Sequence, residues 1–429
     1  MDLANGNYAA PLSIHTSGGV PEALEGFLEA LEPHLPWKTD DYCVSLQLEG
    51  ASAVWAAIDL CLQVLHLETG NRSRVKVAVG ATSYHGPPAT SFGAKAPLWT
   101  KEHQVKYPVP TPTMDATDDE MLFQFELFLD EHAADVGVIL FEPQWGSSQA
   151  GLPWRRSLLS RYIEAARARG IKIVCDEIMC GLGRHGQGTL FVSEAWELNP
   201  DAVTFGKAIG GGVYPLAGAV LKEGRGLLNV NKATVMQSHT YAGSSVRALM
   251  TATAVLNEMP MWLPSLAKVG EEMELIFHHL NNVADGLIVC NGQGLMWGGL
   301  FSEKGQCADK EYRDKCVAAF KRHCEDVGVL PYHVPVGGFM VSPVMDVDIA
   351  SIYTIGDLLE TVIRRTKAEV GWDGAHKDII KVIDQLTIEQ FAAKLSAKDQ
   401  CLPAFHKTRS CTSCASFVCR DARTRFTKV

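Results

Sequence analysis

The sequence predicts an α/β protein: a three-layer α/β/α large domain with a mostly parallel sheet, plus a smaller α+β domain. Short apolar runs bounded by Gly, Pro or Asp alternate with stretches of helical periodicity, as buried parallel strands alternate with the helices that cover them. The predicted strands are Val75–Val79, Val136–Phe141, Ile171–Cys175, Ala202–Phe205 and Leu216–Leu221. The predicted helices between or beside them are Ser52–His66, Asp119–His132, Arg155–Arg169 and Ser244–Glu258.

The predicted domain organisation follows from a change of pattern at Pro260. From there the sequence shows a long helical stretch, a glycine-broken strand region at Leu287–Phe301, and helical stretches at Lys310–Val327 and Ile349–Val370. With 429 residues the chain has room for one large and one smaller domain. The expected divisions are an N-terminal segment 1–49, a large domain 50–259, a small domain 260–372 and a C-terminal extension 373–429.

Composition narrows the class of function. A formal charge of -10 argues against general nucleic-acid binding, which needs a basic face, and favours small-molecule chemistry. The first residues show no basic segment followed by an apolar core, and apolar runs of about 18 residues are not found, so we expect no export, no membrane insertion and a cytoplasmic location. The 12 scattered cysteines favour reduced thiols over a disulfide framework.

Charged side chains directly follow three of the predicted strands. Glu142 follows Val136–Phe141, Asp176 follows Ile171–Cys175, and Lys207 follows Ala202–Phe205 after one glycine. Ligands of parallel α/β sheets lie beyond the carboxyl ends of the strands, so we expect these side chains to share one rim. Free lysine, with a pKa of about 10.4, is a poor nucleophile, but a partly desolvated lysine can form an imine. A solvated loop lysine and a helix-capping aspartate are the simpler alternatives.

The segment Gly181–Gly186 matches the dinucleotide-binding pattern G-x-G-x-x-G and supports a competing hypothesis, an NAD-dependent oxidoreductase. Its setting differs from that motif. The first glycine should end a strand and the third should lie in the opening of a helix, whereas Asp176 to Cys180 intervene here. Lys207 likewise precedes its glycine cluster, unlike the lysine of a phosphate-binding loop.

Five ordered motifs carry a family resemblance. They are Tyr84-His85-Gly86, Glu142-Pro143, the run from Asp176 to Gly186, the run from Phe205 to Gly212, and His239-Thr240-Tyr241. In this order they resemble the class III aminotransferases, which have the pyridoxal-phosphate-dependent fold type I. The resemblance covers roughly 44–256 well and extends loosely to Asn291–Met296. It implies pyridoxal 5'-phosphate as cofactor, with a small-molecule amine donor and an oxo acceptor as substrates.

The resemblance also implies roles for the residues around the cofactor ring. Lys207 would be the Schiff-base lysine and then a general acid/base, and Asp176 would keep the pyridinium nitrogen protonated. Ile178 would pack under the ring while Tyr84 stacks on the opposite face. Glu142 would lie on the substrate side of the ring.

Further implied roles concern the cofactor phosphate. Gly50 and Ala51 would offer backbone N–H groups at a helix N-terminus, and Ser52 would add a hydroxyl. Thr240 would reach the phosphate of the neighbouring subunit, which implies a homodimer. The family usually has Ser-Gly-Thr where this chain has Glu49-Gly50-Ala51, so we expect the phosphate to depend more on backbone donors.

Substrate recognition also departs from the family pattern. The family's small domain often supplies an arginine for a substrate carboxylate, but Gly338–Pro343 contains none. Arg184 or Arg247 could replace it. The expected activity is transfer of an amino group between an amine or ω-amino acid and an oxo acid or aldehyde. An aminomutase, decarboxylase or racemase using the same residues remains an alternative.

We assign no function to the C-terminal extension, which is basic and contains several cysteines. It contains one C-x-x-C motif, Cys411 to Cys414, with Cys419 nearby. A single such motif is weak support for a metal site, and no metal ligands are assigned.

Overall fold

The computed structural model describes residues 22–38, 42–86, 103–111, 116–222 and 245–374. The chain divides into two compact units. Among the described residues, the large unit comprises those up to Pro110, 116–146, and those from Pro153 to Pro264, and the small unit comprises Thr111, Ser147–Leu152 and those from Ser265 to 374. The division near Pro264 lies five residues beyond the expected one at Met259. The described residues before Gly50, which we expected to belong to the N-terminal segment 1–49, join the large unit.

A seven-stranded sheet forms the centre of the large unit, in the order β1-β7-β6-β5-β4-β2-β3. The strands are β1 Tyr42–Gln47, β2 Lys76–Gly80, β3 Gln104–Tyr107, β4 Val136–Phe141, β5 Lys172–Asp176, β6 Ala202–Phe205 and β7 Ala217–Lys222. The strands from β3 to β6 pair in parallel, whereas β7 is antiparallel to both β6 and β1. The mostly parallel sheet predicted from sequence is therefore confirmed. Strands β1 and β3 were not predicted, because both are short and rich in polar residues.

Three helices of the large unit begin and end within three residues of the predicted ranges Ser52–His66, Asp119–His132 and Arg155–Arg169. The helix predicted at Ser244–Glu258 and the helical stretch after Pro260 form one long helix, and two further helices were not predicted. The helices are α1 Glu22–Leu31, α2 Gly50–Thr69, α3 Asp118–His132, α4 Arg156–Ala168, α5 Val192–Ala195 and the first part of α6 Val246–Ala284, which continues into the small unit. Helix α3 begins with a capping box, in which Thr117 and Glu120 exchange side-chain and backbone hydrogen bonds. Helix α2 ends at Gly70, whose φ of 67° is left-handed, as a glycine after a helix permits.

Side chains of β4 alternate between two cores, and this alternation produces the three layers. Val138 and Leu140 belong to the aliphatic core formed with buried residues of α2. The next residue, Phe141, faces the other way and meets Tyr107 and Trp154 at ring-centroid distances of 5.3 and 6.1 Å. Both faces of the strand are therefore buried, which is why its sequence is a continuous apolar run.

Helix α2 is the one helix in the described part of the chain whose length and composition would allow it to cross a membrane. More than half of its most apolar stretch, 56%, is buried inside the protein. Its buried residues pack on the sheet, as those of a core helix do.

The small unit contains an antiparallel sheet in the order β10-β11-β9-β8. Its strands are β8 Ile288–Gln293, β9 Met296–Phe301, β10 Tyr332–Val334 and β11 Gly338–Val341. Helices α7 Lys310–Val327 and α8 Ile349–Val370 occupy the two predicted ranges and pack against each other. An antiparallel sheet with accompanying helices is the α+β arrangement that the sequence predicts.

Two glycines of the large unit should respond in opposite ways to replacement by alanine. A methyl group on Gly137 in β4 would lie 2.5 Å from Leu62 Cδ2 and 2.6 Å from the Arg74 carbonyl oxygen, whereas one on Gly26 in α1 would meet nothing within 4 Å. We expect Gly137→Ala to lower the free energy of unfolding by about 1–3 kcal/mol, and Gly26→Ala to raise it by about 1 kcal/mol.

Urea unfolding of the two variants and the parent measures both effects. Because both variants add one methyl group, the difference between Gly137→Ala and Gly26→Ala reports the local packing at each position. Equal stability of the two variants would contradict this account of the close packing around β4.

Candidate active site

Lys207 lies at the carboxyl end of β6 in an unusual backbone conformation. Gly206 is extended, and Lys207 then has a left-handed φ of 46° at the start of a 3-10 turn, Lys207–Gly210. A non-glycine residue with positive φ is strained, and such residues cluster at functional sites. The turn therefore holds one particular lysine at the rim of the sheet at some energetic cost.

The environment of Lys207 differs from that of an ordinary surface lysine. Its side chain is open to solvent, yet enough protein surrounds the ammonium group that desolvation lowers its pKa. The negative charges of Asp176 and Glu142 oppose this shift without cancelling it. The positive charge of Arg184 lowers the pKa of Lys207 further. A fully solvated loop lysine, the simpler alternative, does not fit these surroundings.

Asp176 is a buried carboxylate at the end of β5, with its side chain only 6% exposed. Its Oδ1 accepts hydrogen bonds from Thr204 Oγ1 at 3.0 Å and from the Ile178 amide at 3.2 Å. Its Oδ2 lies 2.7 Å from Nδ1 of His85. Burial acts to raise the pKa of Asp176, but the His85 contact, the Ile178 amide and the charge of Lys207 outweigh it and lower the pKa. The carboxylate is therefore held ionised.

His85 completes this contact from the loop that follows β2. Burial of the ring acts to lower its pKa, but the hydrogen bond and charge of Asp176, helped by the charge of Glu142, raise it above the usual value. Within the described residues, the buried Nε2 has no hydrogen-bond partner. The sequence analysis assigned His85 no role of its own, although its place in the Tyr84-His85-Gly86 motif was an available signal.

Glu142 links β4 to the same loop. Its Oε1 accepts a hydrogen bond from the Tyr84 amide at 3.0 Å, and its side chain is buried. Burial raises the pKa of Glu142 to about 7; the charge of Asp176 contributes to the rise, while the charge of His85 and the amide hydrogen bond oppose it. Tyr84 is half exposed.

Ile178 packs between Gly50, the first residue of α2, and Gly206, which precedes Lys207. A methyl group on Gly50 would lie 2.9 Å from Ile178 Cδ1, and one on Gly206 would lie 3.2 Å from Ile178 Cγ2. The three segments that carry Gly50, Asp176 and Lys207 therefore meet at one side chain. A side chain at position 50 would require Ile178 to shift away from the start of α2.

The start of α2 has the arrangement expected of an anion site. No side chain caps this N-terminus, and the first amides of a helix have no partners within it. Ala51 is buried, and Ser52 Oγ donates to Glu49 Oε1 at 3.3 Å. The serine hydroxyl is therefore engaged by a carboxylate, and binding of the phosphate by Gly50, Ala51 and Ser52 stays a prediction.

Two sequence predictions, the role of Thr240 and dinucleotide binding at Gly181–Gly186, remain to be compared with the structure. Thr240 lies outside the described residues, so its predicted role stays a prediction. The Gly181–Gly186 run forms consecutive turns, and among the described residues the next helix, α5, begins only at Val192. The strand–turn–helix setting that dinucleotide binding requires is therefore not found at this run, which counts against the NAD hypothesis.

Glu177 holds this glycine-rich segment in place and was not singled out in the sequence. Its Oε2 and Oε1 accept hydrogen bonds from the amides of Val192 and Ser193 at 2.5 and 2.9 Å. Burial raises its pKa to about 7, and these donors only partly oppose the rise. The contact fixes the start of α5 relative to the end of β5.

Thr204 was also missed. It is a buried polar residue within the apolar strand β6, and the parallel register places it opposite Asp176. A single hydroxyl in an otherwise apolar buried strand was the available signal, because buried polar groups require partners.

The α/β fold, with a lysine and two carboxylates at one edge of its sheet, was compared with known sequences and structures. The sequence profile of the aminotransferase class-III family matches residues 10–340. The chain belongs to this family, and the predicted resemblance is confirmed.

Several curated relatives share about a quarter of the aligned sequence. The mitochondrial acetylornithine aminotransferase of Candida glabrata is 26% identical over 250 residues, covering 56% of this chain and 55% of that protein. The acetylornithine aminotransferase of Clostridium acetobutylicum is 24% identical, covering 62% and 65%. The chain thus matches less than two thirds of the length of these two relatives. A Sulfurisphaera tokodaii [LysW]-aminoadipate semialdehyde/glutamate semialdehyde transaminase is 27% identical, covering 72% and 74%.

Solved transaminase structures share the fold. The ω-aminotransferase of Paracoccus denitrificans superposes with a TM-score of 0.74 at 18% identity, covering 86% of this chain and 85% of that one. A PMP-bound aminotransferase from Vibrio fluvialis superposes with a TM-score of 0.73 at 18% identity, with coverages of 86% and 85%. These similarities confirm the predicted fold class.

Glu177 and Glu120 should contribute to the free energy of unfolding with pH dependences of opposite sign. The folded-state pKa of Glu177 is raised from 4.5 to about 7, so its contribution to stability is present below pH 4.5 and is lost as pH rises through 7. We expect Glu177→Gln to remove this decline, which amounts to about 3 kcal/mol. Glu120 has a pKa lowered by the Thr117 amide and hydroxyl, so its contribution is present above its ordinary pKa and lost on acidification.

Urea unfolding from about pH 3 to pH 8 measures both differences from the parent: the Glu177 effect lies between pH 4.5 and 7, and Glu120→Gln is the control, whose effect of opposite sign lies below pH 4.5. If the curves of Glu177→Gln and the parent run parallel, burial does not raise the pKa of Glu177.

Proposed function

We propose that this chain is a pyridoxal-phosphate-dependent aminotransferase that moves an amino group between an amine or ω-amino acid and an oxo acid or aldehyde. The observation that carries the proposal is the strained, partly desolvated Lys207 at the same sheet edge as the buried, ionised Asp176. Membership of the class-III family supports the same reaction class.

The buried carboxylate fits the cofactor's ring nitrogen. Asp176 is ionised by its surroundings and has three hydrogen-bond donors from the described residues, fewer than the roughly four that a carboxylate can accept. A protonated ring nitrogen would fill the remaining position and add an opposite charge. When bound, pyridoxal phosphate supplies an aldehyde for amine exchange and an electron sink for carbon–hydrogen cleavage.

Lys207 performs two tasks in this proposal. Its lowered pKa makes the uncharged amine more available, and this amine would hold the cofactor through its aldehyde carbon, with loss of water. When Nζ is not engaged in this way, it would accept and return a proton at the substrate's α-carbon. The short turn that holds Lys207 limits the positions that Nζ can reach.

The remaining contacts position the cofactor. Ile178 and the exposed face of Tyr84 would bracket the ring, and the amides of Gly50, Ala51 and Ser52 would bind its phosphate at the start of α2. Glu142, anchored to the Tyr84 amide, would lie beside the substrate face.

Finer features of the proposal concern assembly and substrate. We propose a cytoplasmic homodimer in which Thr240 contacts the phosphate of the neighbouring subunit. Arg184 is the candidate partner for a substrate carboxylate, because its charge acts on Lys207.

Replacement of Lys207 by alanine tests the central assignment. We expect the purified parent to take up pyridoxal phosphate, to absorb in the visible or near ultraviolet, and to be fixed by borohydride at a peptide containing Lys207. Lys207→Ala should still bind the cofactor but lose at least about a thousandfold in turnover, since it loses both the covalent anchor and the proton carrier. Lys310→Ala, at an exposed position in α7, is the matched control and should behave like the parent.

A screen of amine donors, followed by conversion of the cofactor to its aminated form, then tests transamination itself. A colourless parent protein that takes up no pyridoxal phosphate would refute the proposal. Cofactor binding with no response to any donor would instead favour a mutase, decarboxylase or racemase.

A further inference from the structure

We propose that Cys307 and Cys316 form a reversible disulfide when the protein meets a peroxide. Both cysteines belong to the small unit, whereas Lys207 and Asp176 belong to the large unit. The chemistry of the pair is thiol oxidation, which needs no cofactor and no amine substrate.

The two thiols come together where a short 3-10 helix, Gly305–Ala308, directly precedes α7. Both cysteines are free thiols, and each residue is 0% exposed. The Cys316 thiol donates a hydrogen bond to the sulfur of Cys307. A disulfide requires the two sulfur atoms to approach to about 2.05 Å, so thiols that are already in contact need only a small displacement.

The segment that carries Cys307 lies at the surface. Cys307 is the buried residue of the 3-10 helix Gly305–Ala308, and its neighbours Gln306 and Ala308 are exposed. Arg313 of α7 holds this segment, since its Nη1 donates to the Cys307 carbonyl oxygen at 2.8 Å. A short exposed helix with one buried side chain opens at little cost, and a small outward movement gives hydrogen peroxide access to the thiol.

The two thiols differ in acidity, as the attacking and resolving thiols of a redox pair do. The hydrogen bond from Cys316 lowers the pKa of Cys307; burial opposes this shift, and the positive charge of Arg313 supports it. The hydrogen bond to Cys307, together with burial, raises the pKa of Cys316. Cys307 is therefore the thiol that ionises first, and the thiolate is the form that reacts with peroxide.

Oxidation of the pair takes two steps and consumes one hydrogen peroxide. The Cys307 thiolate attacks one peroxide oxygen, the O–O bond breaks, and a sulfenic acid and hydroxide form; the hydroxide takes up the proton that Cys307 released. The sulfur of Cys316 then attacks that of Cys307, the S–O bond breaks, and the thiol proton of Cys316 leaves with the hydroxyl as water. Two thiols and one peroxide thus become one disulfide and two waters. Two molecules of a small thiol reverse the reaction and become a disulfide themselves.

Inert packing is the alternative role for buried thiols, and Cys324 provides the reference for it. Cys324 lies on the same helix as Cys316 and is equally buried, and burial, helped by the charge of Glu325, raises its pKa to about 12. Metal binding is a second alternative. Among the described residues, however, no three His, Cys, Asp or Glu side chains are grouped so that they could hold a metal ion.

Peptide mapping of the full chain tests the proposal. The reduced protein is exposed to hydrogen peroxide, quenched with an alkylating agent and digested with trypsin. Cleavage after Lys and Arg places Cys307 in peptide 305–310, Cys316 in peptide 316–321 and Cys324 in a peptide that begins at 323. We expect peptides 305–310 and 316–321 to appear as one linked pair, formed about tenfold or more faster than Cys324 is oxidised, and to separate again on treatment with a small thiol.

Three serine variants separate the roles of the thiols. We expect Cys316→Ser to form no linked pair and to leave Cys307 as a sulfenic acid, which a dimedone probe labels, because the serine hydroxyl still donates to Cys307. Cys307→Ser should slow the oxidation of Cys316 to about the rate of Cys324. Cys324→Ser is the matched control from the same helix and should form the linked pair as the parent does.

Three results would overturn the proposal: oxidation of Cys307 and Cys316 no faster than that of Cys324, pairing of either with a cysteine elsewhere in the chain, or a linked pair that a small thiol does not reduce. The measurement on the parent decides the matter even if a serine variant does not fold. A chain that takes up no pyridoxal phosphate would contradict the proposed function and leave this measurement unchanged, so the two can fail separately.

Discussion

The buried carboxylate of Asp176 is the constraint on which the arrangement of the site depends. An ionised group at the end of a core strand costs several kcal/mol unless it is paired and hydrogen-bonded. Here the donors come from three places: the loop after β2 provides His85, the residue beyond β5 provides the Ile178 amide, and β6 provides Thr204. Each hydrogen bond stabilises the charge of Asp176 and also holds the donating segment in place. The electrostatic requirement and the packing of the sheet therefore reinforce each other.

The parallel order of β4, β5 and β6 brings the reactive groups to one edge. Because the strands run in the same direction, the residues that follow them lie together even though they are far apart in sequence. As a consequence, the charge of Asp176 acts to raise the pKa of Glu142, and the charge of Lys207 acts to lower the pKa of Asp176. Both carboxylates act to raise the pKa of Lys207. Glycines at 50 and 206 allow Ile178 to pack against the neighbouring segments, so the start of α2 lies close to the same place.

Supporting groups matter as much as the reactive ones. Glu177 follows Asp176 directly but points into the protein, where it receives the amides of Val192 and Ser193. Adjacent residues of an extended segment face opposite sides, so one acid serves the site while the next fixes the glycine-rich turns. This division of roles explains why Asp176 and Glu177 are both buried although they are adjacent in sequence. Two buried carboxyl groups would cost free energy if their oxygens had no hydrogen-bond donors.

The sequence alone determined the fold class, the strands β4 to β6, the helices α7 and α8, and the candidates Lys207, Asp176 and Glu142. Apolar runs and helical periodicity are local signals, and a charged residue directly after such a run is visible without coordinates. It did not reveal β1, β3, or the roles of His85, Thr204 and Glu177. Those depend on strand order and register, which bring together residues as far apart as 85 and 176, and on the orientation of side chains. Only the tertiary structure shows that Asp176 Oδ1 is fully occupied while Oδ2 shares its acceptor capacity with a buried histidine.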